Sequence, residues 1–274
     1  MNKSAPIGIF DSGVGGTSIW QEIHTLLPYE NTLYLADSKH APYGEKSKET
    51  ILELSIKNTE LLLSRGSKII VVACNTATTN AISELRKKFD VPFIGIEPAI
   101  KPAALKSRSK NVGILATKGT LSSDLFHKTS EEYSNDINFI EVIGKGLVHF
   151  IEKGQLNHPK LHSLLLTYLE PMIEADVDYI VLGCSHYPYI IPAIRNIVPE
   201  HIKIIDSGVA VARQTKSILE KNNLLNESHT SPKLEFYSNL ETTTLNYLLK
   251  EFKSDVNEDS RNSESHMQIE MLEF

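Results

Sequence analysis

Short apolar runs alternate with segments of helical period along most of the chain. Runs at 7–10, 33–36, 69–73, 92–96, 111–117, 139–142, 179–183, 203–206 and 234–237 have the length and bulk of buried strands. Between them the apolar positions recur every three to four residues. The segment 47–65 places Ile51, Leu54, Asn58, Leu61 and Leu62 on one face and stops at Gly66. The segment after Cys74 spaces Ala77, Ala81, Leu85 and Phe89 four apart. Further helices are predicted at 17–27, from Glu97-Pro98 onward, and at 122–132, 147–152, 160–175, 190–198, 209–221 and 242–252. From Ser254 the composition turns polar and acidic, so 254–274 reads as a mobile tail with at most a short docked piece at 267–272.

Strands alternating with helices predict an α/β fold with mainly parallel, doubly covered sheets. Such folds hold ligands beyond the carboxyl ends of their strands. Asp11, Cys74, Thr117 and Cys184 all fall at or just past predicted strand ends. The chain also repeats itself. Ile70-Val-Val-Ala-Cys-Asn-Thr aligns without a gap on Ile180-Val-Leu-Gly-Cys-Ser-His, and twenty residues after each cysteine Ile94-Gly-Ile96 matches Ile204-Ile-Asp206. Ile7-Gly-Ile-Phe-Asp-Ser matches Val112-Gly-Ile-Leu-Ala-Thr. The expectation is two pseudosymmetric α/β domains facing each other across an active-site cleft. Their chemistry is unequal, because Asp11-Ser12 is replaced by Ala116-Thr117 and Asn75-Thr76 by Ser185-His186.

Composition narrows the class. The 274 residues are 41% apolar and 23% charged, and 28 basic against 34 acidic side chains give a net charge of −6. That is ordinary soluble usage and gives no basis for a nucleic-acid surface. No apolar stretch is long enough to span a membrane, and the N-terminus runs straight into a strand, so a cytoplasmic protein without signal peptide is expected. Two cysteines make no disulfide framework and are too few for a zinc site unless histidines help.

The first strand leads into Asp11-Ser-Gly-Val-Gly-Gly16 and then a helix, a layout whose backbone N–H groups suit an anion. The spacing fits no nucleotide motif, and Asp11 would repel a phosphate; it suits a ligand carrying an amino group as well as a carboxylate. A cysteine at a helix start gains from the partial positive charge there, which favours its thiolate. Four readings compete for the two cysteines: a redox pair, a metal site with His186, one reactive and one structural cysteine, or two acid–base groups on opposite faces of a carbon acid. The first lacks a CxxC context, the second is a poor zinc pattern, and equivalent placement in two halves speaks against the third. The fourth suits racemisation or epimerisation, where one group removes a proton and another delivers one to the opposite face. Asn75, Thr76, Ser185, Ser12 and the Tyr43-Gly44 backbone are candidates to hold a carboxylate, with Asp11 and His186 each beside a cysteine. Asp11 also reads as a helix cap, His186 as an ordinary satisfied histidine, and Tyr43 as turn chemistry.

Asp11-Ser-Gly-Val-Gly-Gly16, Pro42-Tyr-Gly44, Ala73-Cys-Asn-Thr-Ala77 and Gly183-Cys-Ser-His-Tyr-Pro188, in this order, resemble the glutamate racemases, cofactor-independent enzymes that make D-glutamate for peptidoglycan. The likeness spans about residues 7–219. The wider group of aspartate and hydantoin racemases shares the two-cysteine plan. The resemblance implies that Cys74 and Cys184 are the acid–base pair, acting without pyridoxal phosphate or metal. Cys74 would serve D-glutamate and Cys184 L-glutamate, with Asp11 and His186 assisting them. It implies substrate contacts from Asp11, Ser12, Tyr43, Gly44, Asn75, Thr76, Thr117, Ser185 and His186, and a carboxylate from Glu152 near the second cysteine. It implies one domain inserted into the other: residues 1–97 with 208–253, and residues 98–207. The partners implied are L- and D-glutamate, with no nucleic acid and no membrane; a homodimer is left open. The alternatives are an aspartate racemase or an amino-acid-binding module without chemistry. Ser185 stands where the family has threonine, keeping the hydroxyl and losing a methyl. The short segment before the first strand gives no ground to expect activation by a peptidoglycan precursor, and the tail has no family counterpart.

Overall fold

The computed structural model describes residues 2–228, 230–256 and 267–274. Its strands are β1 (Ile7–Asp11), β2 (Thr32–Ala36), β3 (Ile69–Val72), β4 (Phe93–Gly95), β5 (Asn111–Ala116), β6 (Asn138–Ile143), β7 (Tyr179–Gly183), β8 (Lys203–Ile205), β9 (Leu234–Ser238) and β10 (Met267–Met271). They form two sheets, in the orders β10-β9-β2-β1-β3-β4 and β6-β5-β7-β8. Every pairing is parallel. The strands of the second sheet lie between β4 and β9 in the chain.

The internal repeat is visible as topology. The order β2-β1-β3-β4 in one sheet is matched by β6-β5-β7-β8 in the other. The registers agree as well: Ile7 lies opposite Ile69 and Val112 opposite Tyr179, so each cysteine falls five residues past its register partner. The match slips at the edge strands. Ile70 faces Phe93, whereas Ile180 faces Ile204, so Phe93 rather than Ile94 is the counterpart of Ile204. The connections explain the slip. In one half a single helix, Asn75–Lys88, links the strands; in the other a 3-10 turn, Tyr187–Ile190, and a short helix, Ile191–Arg195, do so with one residue more.

Parallel strands covered on both faces read as continuous apolar runs, and β1, β2, β3 and β7 are buried along their full lengths. On one face of the first sheet, Ile9, Ile19, Trp20, Ile23, Val211, Leu219, Phe236 and Leu248 form one core; on the other, Phe10, Leu35, Ile51, Leu62, Ala81 and Leu85 form a second. The second sheet is sandwiched in the same way, by Leu165, Leu169, Ile180 and Ile194 and by Ile100, Ile114, Phe126 and Val181. Leu156 and Tyr189 pack against cores of both halves. Trp20, expected to be packing, is fully buried and its indole N–H donates to Thr32 Oγ1 at 3.2 Å.

Several predicted elements shift at their ends. The helix expected from Glu97 starts at Ile100; the helix expected at 122–132 runs over Asp124–Glu131, and a separate short helix, Lys118–Leu121, precedes it. The break falls where Ser123 turns its hydroxyl back to accept from the Phe126 N–H at 3.3 Å, a cap that starts a new helix. The part of the expected mobile tail at 257–266 lies outside the described residues. Its docked piece is a strand: β10 pairs with β9 from Met267↔Leu234 to Met271↔Ser238. Among the described residues no helix is long and apolar enough to cross a membrane.

Candidate active site

In a 2-1-3-4 strand order the crevice opens between the first and third strands, where the connections part to opposite sides. Asp11 ends β1 and Cys74 follows β3; Thr117 follows β5 and Cys184 follows β7. The duplicated fold therefore brings equivalent strand ends from both halves to one place. Both cysteines are free and buried, and they lie close enough for the charge of Cys184 to act on Cys74.

Asp11 joins the two halves. Its Oδ2 accepts from the backbone N–H of Gly13 at 3.1 Å and of Gly16 at 3.0 Å, so it does organise the start of the helix Thr17–Leu26. Its Oδ1 accepts from the Ser185 hydroxyl at 3.0 Å, and Oδ2 lies 3.9 Å from His186 Nε2. Asp11 thus steadies the turn before the helix, whose N-cap is Gly16 with no side-chain cap hydrogen bond, and also reaches Ser185 and His186 of the other half. Ser18 donates from its hydroxyl to the Ser185 carbonyl at 2.7 Å, a second tie across the cleft.

The two thiols have different surroundings. Cys74 caps the helix Asn75–Lys88: its sulfur accepts from the Ala77 N–H at 3.4 Å and lies 3.6 Å from Ser12 Oγ. Cys184 precedes a 3-10 turn instead of an α-helix, so it lacks that cap; its sulfur lies 3.7 Å from His186 Nδ1. The other ring nitrogen, Nε2, meets Glu152 Oε1 at 2.5 Å. Glu152 is held in turn by the Val14 N–H at 2.7 Å and the Ser38 hydroxyl at 2.9 Å. Cys184, His186 and Glu152 thus form one chain of contacts.

The electrostatics correct one expectation. The helix start does support the Cys74 thiolate, through Ala77, but burial and the Asp11 carboxylate outweigh it and push the Cys74 pKa well up. Burial also raises Asp11, helped by Glu152 and opposed by His186. His186 goes the other way. Burial disfavours its charge, yet Cys184, Glu152 and Asp11 together raise its pKa well above the ordinary histidine value. In the resting protein Cys74 is therefore a thiol, and the His186 imidazolium is stabilised. Raised Cys74 carries a stability consequence. Its folded-state pKa exceeds its unfolded value of 9.0, so its contribution is complete below pH 9 and is lost as pH rises above it. A Cys74→Ser variant, which has no such proton to lose, should show a shallower fall in thermal midpoint between about pH 8.5 and 10.5 than the wild type, read by circular dichroism.

Asn75 and Thr76 open the helix after Cys74. The Asn75 side chain is buried, and neither its nitrogen nor its oxygen has a hydrogen-bond partner. Buried amides are ordinarily satisfied, and leaving one bare costs about 1–3 kcal/mol. Thr76, Thr117 and Thr120 form a hydroxyl triangle across the halves, with Oγ1 separations of 2.8, 3.3 and 3.0 Å. Gly44 lies so near Thr117 that an added Cβ would come within 2.7 Å of the Thr117 Cβ. Tyr43 is buried with its hydroxyl turned onto Asp37, so the residue offers the cleft its backbone. A cavity of about 720 Å³ opens beside this point, its lining including Gly44, Glu45, Lys46, Thr117, Lys118 and Lys145. The cysteines do not line it, and both are buried. Among the described residues no group of three or more histidine, cysteine, aspartate or glutamate side chains is arranged to hold a metal.

Contacts join Asp11, Ser185, His186, Cys184 and Glu152 to one another, Ser12 to Cys74, and Thr76 and Gly44 to Thr117; of the expected residues Gly44 and Thr117 line the cavity. Missing from the sequence reading are Ser38, which holds Glu152, Thr120, which completes the hydroxyl triangle, and Ser18. Ser38 follows the end of β2 by two residues, and a systematic reading of strand ends would have reached it.

Fold and site define a class: a duplicated α/β protein that brings one unpaired cysteine from each half to a shared, asymmetric cleft. Residues 15–215 match the Asp/Glu/hydantoin racemase family, and the chain belongs to that family. It is 48% identical over 227 residues to the glutamate racemase of Ectopseudomonas mendocina, covering 82% of this chain and 86% of the relative. Among solved structures, it superposes with a TM-score of 0.85 on a glutamate racemase isoform of Bacillus anthracis, at 25% identity and over 100% and 99% of the two chains. It superposes at 0.82 on the Escherichia coli glutamate racemase in complex with L-glutamate and the activator UDP-MurNAc-Ala, at 30% identity and over 98% of each chain.

Proposed function

We propose that this protein interconverts L- and D-glutamate by two-base proton transfer and so supplies D-glutamate for peptidoglycan. The observation that carries the reading is the pair of buried thiols on equivalent strands of the two halves, each with its own proton-handling neighbour. One thiolate takes the α-proton while the other thiol delivers one to the opposite face. Cys74 serves the D-enantiomer and Cys184 the L-enantiomer. His186, steadied by Glu152, stabilises the Cys184 thiolate as an ion pair; Asp11 and Ser12 assist Cys74. The buried, unpartnered Asn75 amide, with Thr76, Thr117, Ser12, Ser185 and the Tyr43-Gly44 backbone, receives the two carboxylates, and Asp11 the ammonium group. The cavity lining carries three lysines, Lys46, Lys118 and Lys145, against one carboxylate, Glu45, an excess of positive charge that favours entry of an anionic amino acid. The two sheets are then the cores of two domains that close on the substrate: residues 1–97 with 208–253, to which β10 adds an edge strand, and residues 98–207.

The test is L-glutamate incubated in D2O with purified protein and no added cofactor. Optical activity should decay to zero while deuterium enters the α-position. Absence of exchange with glutamate would overturn the reading, and exchange with aspartate alone would move the substrate to the shorter dicarboxylate.

A further inference from the structure

Past the end of β9 lies a buried polar cluster that the chemistry above does not use. At its centre is the Asp37 carboxylate, which is 1% exposed. Its Oδ1 accepts from Asn239 Nδ2 at 2.5 Å and lies 2.5 Å from His40 Nδ1; its Oδ2 accepts from the Tyr43 hydroxyl. Asn58 Nδ2 donates to the same Tyr43 oxygen at 3.1 Å. Among the described residues no lysine or arginine reaches this carboxylate; neutral donors and His40 hold it. A buried carboxylate held in this way depends on each donor, because losing one exposes the full cost of desolvation.

Asn239 is the member through which the cluster meets the rest of the fold. Its Oδ1 accepts from the Lys39 N–H at 2.9 Å, and its Nδ2 reaches the Phe274 carbonyl at 3.4 Å as well as Asp37. Beside it the Leu272 N–H donates to the Ser238 carbonyl at 2.9 Å, which continues the β9–β10 pairing. At the other end, the Asp37 N–H donates to the Asp11 carbonyl at 3.0 Å, and the Tyr43 ring shares a core with Cys74. One amide therefore ties the C-terminal strand to the loop that carries Tyr43-Gly44.

We propose that Asn239 is a positioning residue for substrate binding: through Asp37 and the Tyr43 hydroxyl it fixes the Tyr43-Gly44 backbone against the cleft, with the 267–274 segment closing over it. This rests on the glutamate reading above. Because the loop binds substrate and transition state alike, its loosening raises KM and leaves kcat nearly unchanged. A purely structural role would lower the folded fraction, and so the apparent kcat, at constant KM.

The experiment measures racemisation kinetics for Asn239→Ala, Tyr43→Phe and the double variant. Asn239→Ala should raise KM for both enantiomers by about tenfold, with kcat within about threefold of wild type. The double variant should be no worse than the more affected single variant, since both cut one path. If Asn239→Ala does not fold, Tyr43→Phe, which removes the hydroxyl bond to Asp37 without adding a charge, carries the same expectation. A KM within twofold of wild type in the folded variant, or KM effects that multiply in the double variant, would overturn the proposal while leaving the glutamate reading intact. A wild-type protein inactive on glutamate would remove both.

Discussion

Cys74→Ser and Cys184→Ser should each lower glutamate racemisation by about a thousandfold or more while folding as the wild type does. General acid–base groups contribute about 10²–10⁴ in rate. Here each thiol is needed in both directions, once as base and once as acid, so neither enantiomer has a route around the loss. Serine keeps the shape of the side chain, yet its hydroxyl stays protonated at neutral pH, so it can neither accept the α-proton as a base nor deliver one readily as an acid. The defects should also fail to add: the double variant should be nearly as active as the weaker single one, because the two groups act as a unit. Each single variant keeps one working base. Slow α-deuterium uptake in D2O should therefore persist from one enantiomer only, from L-glutamate in Cys74→Ser and from D-glutamate in Cys184→Ser. Polarimetry and proton NMR of the same samples separate the two readouts. Wild-type racemisation in either variant would refute the two-base mechanism.

Gly15→Ala should lower kcat/KM by at least about a hundredfold, although residue 15 offers the reaction no functional group. A Cβ there would stand 2.2 Å from His186 Nδ1 and 2.3 Å from its Cγ. The imidazole cannot yield easily: it is 1% exposed and its far nitrogen is held by Glu152 at 2.5 Å. Moving the ring breaks either that contact or the one to Cys184, and misplacement of a catalytic group by about 1 Å can cost about 10² in rate. Steady-state kinetics and thermal unfolding test this together. A folded Gly15→Ala protein with kcat/KM within threefold of wild type would show that the approach of the two halves is looser than the geometry requires. Gly13 plays the same part toward Glu152, whose Oε1 an added Cβ would meet at 2.0 Å. Gly13 and Gly15 of Asp11-Ser-Gly-Val-Gly-Gly16 therefore make room for the other half of the protein, whereas Gly16 makes room for Asp11, Tyr34 and Ala73 of its own half.

That role was not legible in the sequence, where the same glycines read as a turn before a helix. Much else was legible. The period of the apolar positions gave the α/β class, and the repeat around the cysteines gave two halves whose strand orders do correspond. The sequence match placed Ile7 against Val112 and Ile70 against Ile180, which the register bears out. It misaligned the edge strands by one residue, because a helix and a 3-10 turn with a short helix differ in the length they need to span the same sheet. The fate of Met267–Met271 was only half visible. Five residues of mixed polarity give little local signal, and their pairing with β9 is a contact made across the sheet.

What the sequence by itself determined is the inventory: two cysteines at equivalent strand ends, the polar residues beside each, and the kind of fold that collects strand ends at one crevice. These follow from local period and spacing, which act over a few residues. What only the tertiary structure decided is how unequal the two thiols are. Cys74 is held as a thiol, because burial and Asp11 overcome the helix start, while Cys184 sits against a histidine whose charge Glu152 and Asp11 stabilise. Desolvation and charge pairing depend on groups that are far apart in the chain and ångströms apart in the cleft, so folding alone settles them.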